Sequence, residues 1–122
     1  MASTTLTLPA SSGDIVCNRI NQDGYSTEYL ARSATNDVRV RVRHTQTNAK
    51  NSTPALDRHN VEVSKKVFAD GTDPEVPSKV YLVIEHVPGD DPTILVDALA
   101  DWLIAASNSK VADLIGWEEA SD

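Results

Sequence analysis

Hydrophobic and polar positions alternate with a period of two through the first three-quarters of the chain and change to steps of three and four in the last quarter. A period of two is that of a strand with one covered face, and steps of three and four are those of a helix with an apolar stripe. Leu6 and Leu8 alternate with threonines from Thr4 to Leu8, and a turn from Pro9 through Gly13 leads to Asp14–Ile20, which predicts a β-hairpin. Asp23-Gly24 suits a tight turn with positive φ, and Tyr25–Ala31 follows as a third strand. From Asp37 to Thr47, Val38, Val40 and Val42 alternate with Arg39, Arg41 and Arg43, so one face is apolar and the other cationic. Beyond the polar loop Asn48–Pro54, the strand Arg58–Phe68 carries Val61, Val63 and Val67 on one parity and Asn60, Glu62, Ser64 and Lys66 on the other. Gly71, Pro74 and Pro77 mark Ala69–Ser78 as a loop. Lys79–Val87 then reads as a last strand, apolar on both parities as a central strand would be.

Pro88 and Gly89 end the strand pattern. Asp91-Pro92 predicts a helix start, with the aspartate as N-cap and proline at the first helical position. Ile94, Leu95, Ala98, Leu99, Trp102, Leu103 and Ala106 form a wide apolar stripe. Ser107-Asn108-Ser109 interrupts it and predicts a second short helix through Val111, Leu114 and Ile115, ending at Gly116. About six strands followed by two helices, without βαβ alternation, predict an antiparallel α+β fold in a single domain spanning 1–122: a hairpin over 1–21, a sheet over 24–88 and helices over 91–117.

Such a fold cannot cover itself. One helix shields about 10 Å of width, whereas four or five strands at about 4.8 Å spacing present roughly twice that. A few hundred Å² of wet apolar surface, at about 25 cal/mol per Å², forfeits several kcal/mol, comparable with the net stability of a small domain. Dimerisation that lays each chain's helices on the partner's sheet removes the deficit; a compact monomer with a thin core is the alternative.

Charge sharpens the picture. The chain carries a net −7, which by itself argues against a polyanionic partner. Its distribution argues the other way. From Arg32 to Lys66 eight basic residues face three acidic ones, a local +5 that leaves −12 for the rest. A basic middle between acidic flanks suits a protein with one face toward a nucleic acid, although a solvated charged strand pair has the same composition. Met1–Ser12 has neither Lys or Arg nor a sustained apolar run, so no secretory signal is expected there, and Ile94–Ala106 is interrupted by Asp97 and Asp101, so no membrane span is expected. Cys17 is the only cysteine. It excludes an intrachain disulfide and a multi-thiolate zinc site, and leaves an interchain bridge open.

The order of elements, together with Asp57-Arg58-His59-Asn60-Val61-Glu62-Val63, the strand ending Val87-Pro88 and the helix opening Asp91-Pro92-Thr93, resembles the coat proteins of small single-stranded RNA bacteriophages over essentially the whole chain. That resemblance implies an interlocked homodimer, with a contact built from Ile94, Leu95, Leu99, Trp102, Leu103, Leu114 and Ile115. It also implies assembly of dimers into an icosahedral shell in the cytoplasm of a bacterial host, and residence in the virion. The sheet face turned into the particle would bind the RNA genome, and a genomic hairpin through which translation is repressed. By position it would contain Arg39, Arg41, Arg43, Glu62, Ser64, Lys66, Tyr81 and Glu85, and Ala69–Ser78 would meet its copies at symmetry axes. The alternative is a dimeric cellular RNA-binding module that forms no shell.

Other chemistry has little support. None of His44, His59 and His86 sits three or four residues from another histidine or from a carboxylate on a predicted helix, so neither a metal nor acid–base catalysis is expected. There is no Gly-x-Ser-x-Gly elbow, P-loop or dinucleotide fingerprint, so neither an enzyme nor a cofactor is expected. Capping explains Asp90 and Asp91 without calcium, and Asn51-Ser52-Thr53 is a glycosylation sequon only in a secreted chain. Tyr81 suits packing or stacking on a base.

Overall fold

The computed structural model describes residues 4–10, 12–52 and 54–121, and the side chains of all of these except residue 106. Ser11 of the first predicted turn, Thr53 of the sequon and the Ala106 side chain of the predicted stripe lie outside the described residues. The elements are β1 (Thr5–Leu8), β2 (Ile15–Asp23), β3 (Ser26–Arg32), β4 (Asn36–Gln46), β5 (Asp57–Val67), β6 (Val76–His86) and α1 (Thr93–Ile115). The chain divides into two compact units, Met1–Pro88 and Gly89–Asp122.

In the first unit the strands make one antiparallel sheet in the order β1-β2-β3-β4-β5-β6. Every connection joins strands that are neighbours in the sheet, because each strand is followed by turn or loop residues that return the chain beside it. Gly24, with φ 55, occupies the first position of the two-residue loop between the paired Asp23 and Ser26, where a side chain would be strained. The register fixes the faces. Val40 pairs with Tyr29 and Val63, Val42 with Thr27 and Val61, and Leu6 with Cys17. The buried core is Cys17, Tyr29 and Val40, surrounded by half-covered Leu6, Leu8, Ile15, Ala31, Val42, Val61 and Val63 on the same face. An irregularity between Arg19 and Asn21 lets β2 change register, and β2 comes into contact with β4 as well as its neighbour β3. Burial raises the Cys17 thiol above its usual range, because a thiolate would be desolvated there. The residue is fully covered, so it is core and not a site for the interchain bridge left open by the sequence.

Two expectations for the last strand need correction. β6 starts at Val76, so Val76, Pro77 and Ser78 belong to the strand, where they pair with Val67, Lys66 and Lys65. Pro77 is tolerated because β6 is an edge strand with only one hydrogen-bonded neighbour. That position also overturns the reading of β6 as a central strand: Val76, Val80, Tyr81 and Leu82 stay exposed in the single chain, with Val80 74% and Tyr81 65% accessible, whereas Val83 and Ile84 are half-covered. What remains of the predicted loop closes on a tight turn in which Asp70 and Asp73 exchange backbone hydrogen bonds around Gly71.

In the second unit the helix begins one residue later than expected. Pro92 occupies the cap position, and the Asp91 carboxylate accepts hydrogen bonds from the amide and the hydroxyl of Thr93. The predicted interruption takes the form of two consecutive left-handed residues, Ser107 (φ 58) and Asn108 (φ 67), which divide α1 into a longer and a shorter helical stretch. At the C-terminal end Gly116 keeps a negative φ (−82) and Trp117 is the left-handed residue. The Glu118 amide then donates to the Asp113 carbonyl, closing the last turn. Ile94, Leu95, Leu99, Leu114 and Ile115 are exposed in the single chain, as is Ile104 from outside the predicted stripe, whereas Trp102 and Leu103 are half-covered.

Candidate nucleic-acid interface

The sheet face opposite the core carries the charge. Arg39, Arg41 and Arg43 project from alternate positions of β4, about 6.8 Å apart along the strand. Across the β4–β5 ladder they sit opposite Ser64, Glu62 and Asn60, and β5 places Lys66, Ser64, Glu62 and Arg58 opposite Pro77, Lys79, Tyr81 and Glu85 of β6. All eight residues expected on the inner face, Arg39, Arg41, Arg43, Glu62, Ser64, Lys66, Tyr81 and Glu85, therefore share one face.

The cations there are not equivalent. Arg39 donates to Glu28 on β3 at 3.1 Å and lies 3.8 Å from the Asp37 carboxylate. Arg41 lies between Glu28 (3.5 Å) and Glu62 (3.4 Å), and Lys79 reaches the other oxygen of Glu62 (3.5 Å). Asp37, buried, also takes Arg32 at 3.3 Å, and Lys66 meets Glu75 at 3.6 Å. Arg43 and Arg58 make no ion pair among the described residues. They line a shallow depression of about 240 Å³ together with Thr45 and Asn60, whose Oδ1 is buried without a hydrogen-bond partner. A larger depression, about 530 Å³, lies at the other end of the face among Asp37, Arg39, Arg41, Lys66 and Lys79. Two free guanidinium groups beside an unsatisfied amide oxygen can take a phosphate and a hydrogen-bond donor together.

Glu28, Arg58 and Asn60 were absent from the expected set. Glu28 could have been placed by extending the β4 alternation to β3, because Glu28 pairs with Arg41 once Tyr29 pairs with Val40. The register of one strand against the next, not the alternation within a strand, carries that information.

The family model of the phage phiCb5 coat protein matches residues 3–87. The chain belongs to this coat protein family. The match spans all six strands of the coat protein and ends before α1. No curated protein sequence matches the chain. Among solved structures it is similar to an unassembled virus coat protein dimer, described as a bacteriophage RNA-binding dimer, at 15% identity over 84% of this chain and 83% of that one, with a TM-score of 0.48. Among the described residues of this coat protein no helix is long and apolar enough to cross a membrane, and no group of histidine, cysteine or carboxylate side chains could hold a metal ion.

Proposed function

We propose that this coat protein forms a homodimer through the free edge of β6 and the apolar surface of α1, that dimers close into an icosahedral shell, and that the basic sheet face packages single-stranded RNA inside it. The observation that carries the proposal is β6 itself. Its sequence is that of a central strand, apolar on both parities, yet in one chain it is an eleven-residue edge strand with Val80 and Tyr81 exposed. An unprotected edge of this length invites pairing with another chain. A two-fold axis beside β6 would join two six-stranded sheets and make each β6 central, with every basic face on the same side. Covering Ile94 and Leu95, 86% and 74% exposed in the single chain, would add about 1.5 to 3 kcal/mol for each side chain fully buried.

On the basic face, Arg43 and Arg58 are the primary phosphate ligands and Arg39 and Arg41 are held in reserve by Glu28 and Glu62. A genomic hairpin bound on the same face would couple packaging to repression of translation. The assembly is expected in the cytoplasm of the bacterial host, with the protein ending in the virion. Electron microscopy of a lysate expressing this chain alone tests the proposal: closed shells are expected, and a dimer that forms no shell at any concentration would refute it in favour of a dimeric RNA-binding module.

A further inference from the structure

The ladders inside the sheet fix which backbone groups β6 presents at its open edge. The Thr47 amide donates to the Leu56 carbonyl and the Phe68 amide to the Thr35 carbonyl, and both pairs continue the β4–β5 register that joins Gln46 to Asp57 and Asn36 to Val67. Hydrogen-bonded and non-hydrogen-bonded pairs alternate along an antiparallel ladder, so the odd-numbered residues of β4 bond to the even-numbered residues of β5. The odd-numbered residues of β5 then turn their amides and carbonyls toward β6, where Val61 meets Leu82 and Val63 meets Val80. On β6 the backbone groups of Lys79, Tyr81, Val83 and Glu85 therefore point out of the sheet edge, together with the carbonyl of Pro77, whose missing N–H costs no bond within the chain. From this edge, and resting on the dimer proposed above, we infer that β6 pairs with β6 of a second copy about a two-fold axis at Leu82, with Lys79 opposite Glu85 of the partner subunit.

Backbone bonding selects the register. Residues directly opposite each other in an antiparallel pair project from the same face, so a two-fold axis between two copies of β6 passes through a residue and not between two. Leu82 is the centre of the outward-pointing set from Lys79 to Glu85. With the axis there, Lys79 faces the partner's Glu85 and Tyr81 faces the partner's Val83, and each such pair exchanges two N–H···O bonds. Moving the axis to Tyr81 sets Glu85 against the partner's Pro77, which has no N–H for the Glu85 carbonyl. Moving it to Val83 sets Lys79 against the partner's Val87, beyond the end of the strand.

The side chains select the same register independently. Lys79 and Glu85 are the only lysine, arginine or carboxylate residues of β6, and they stand at equal distances either side of Leu82. Glu85 lies across the ladder from Arg58 yet makes no ion pair among the described residues, and Lys79, which reaches Glu62 at 3.5 Å, keeps an exposed side chain that a second carboxylate can share. The axis at Leu82 opposes these opposite charges twice, once on each side, whereas either neighbouring axis opposes neither. On the other face it sets Leu82 against its own copy and Val80, 74% exposed in the single chain, against the partner's Ile84, apolar on apolar. Within one strand Lys79 and Glu85 are about 20 Å apart, so they can meet only between chains.

Sedimentation equilibrium of the unaltered chain separates the two levels: a protein that never exceeds monomer size removes the dimer reading and this register with it. Where a dimer forms, mild oxidation of single-cysteine variants reads the register, with buried Cys17 left in place. Leu82→Cys is expected to give an interchain disulfide, because directly opposed Cα atoms lie about 4.5 to 5.5 Å apart. Tyr81→Cys and Val83→Cys are expected to stay unlinked, each lying diagonally from its own copy, beyond the about 7 Å that a disulfide spans. A link through either of these, or a dimer in which none of the three links, would overturn the register. Charge exchange needs no cysteine. Lys79→Glu and Glu85→Lys should each weaken the dimer about tenfold, by opposing like charges at two symmetric places, and the double variant should return its dissociation constant to near the wild-type value. Single variants without effect, or a double variant no tighter than either single, would contradict the pairing.

Discussion

Replacing Glu28 and Glu62 together by glutamine should strengthen RNA binding and steepen its dependence on salt. The two carboxylates hold Arg39, Arg41 and Lys79 at 3.1 to 3.5 Å, so RNA must displace them to reach these cations. If the basic face binds RNA as proposed, Arg43 and Arg58, which make no ion pair among the described residues, would meet phosphate unopposed, four cations in a dimer, and the slope of log K against log salt should be about −0.7 × 4, close to −3 for single-stranded RNA. Removing two negative charges per chain frees up to four more cationic charges in the dimer and should carry the slope toward about −6. The cost to folding is small, since partly exposed ion pairs of this kind contribute about 0 to 1 kcal/mol each. The assay is the affinity of the isolated dimer for a single-stranded oligonucleotide at several salt concentrations, with a thermal melt to verify folding. A folded variant with an unchanged or shallower slope would refute the division between free and held cations.

Changing Arg39, Arg41 and Arg43 to alanine should leave folding and dimerisation intact, because Val38, Val40 and Val42 on the opposite face are untouched, while RNA content measured by absorbance ratio falls. Trp102→Ala should cost about 3 to 5 kcal/mol if α1 is covered in the dimer, and native-sized assemblies with an unchanged thermal midpoint would contradict that covering. Val80→Glu on exposed β6 should alter the stability of the single chain by no more than about 0.5 kcal/mol yet place like charges near the two-fold axis, and sedimentation should report monomer. Deleting Gly71 to Glu75 should preserve the dimer and alter the shell seen by electron microscopy. Cys17 should react with a thiol reagent only as fast as the sheet opens, and rapid labelling under native conditions would contradict its burial.

The alternation of valine and arginine on β4 made the two faces of the sheet legible from the sequence, because side-chain direction in a strand depends only on parity. The break at Ser107-Asn108-Ser109 was legible for an equally local reason: it lies between two stretches of apolar periodicity and its residues tolerate left-handed φ. What pattern did not reveal depends on non-local pairing. The place of β6 at the sheet edge, Glu28 beside Arg41, and the approach of His44, His59 and His86 are each set by register between strands far apart in sequence. A strand apolar on both sides reads as central whether the strand that covers it comes from the same chain or from another, so one chain's sequence does not distinguish them.

Ribonuclease treatment of purified assemblies, followed by sedimentation and measurement of the nucleic-acid to protein absorbance ratio, tests most directly whether this coat protein closes around RNA. Rapidly sedimenting particles that retain protected RNA are predicted, with less RNA when Arg43 and Arg58 are replaced by alanine. A protein that remains at dimer size, or shells that hold no protected RNA, would contradict the account.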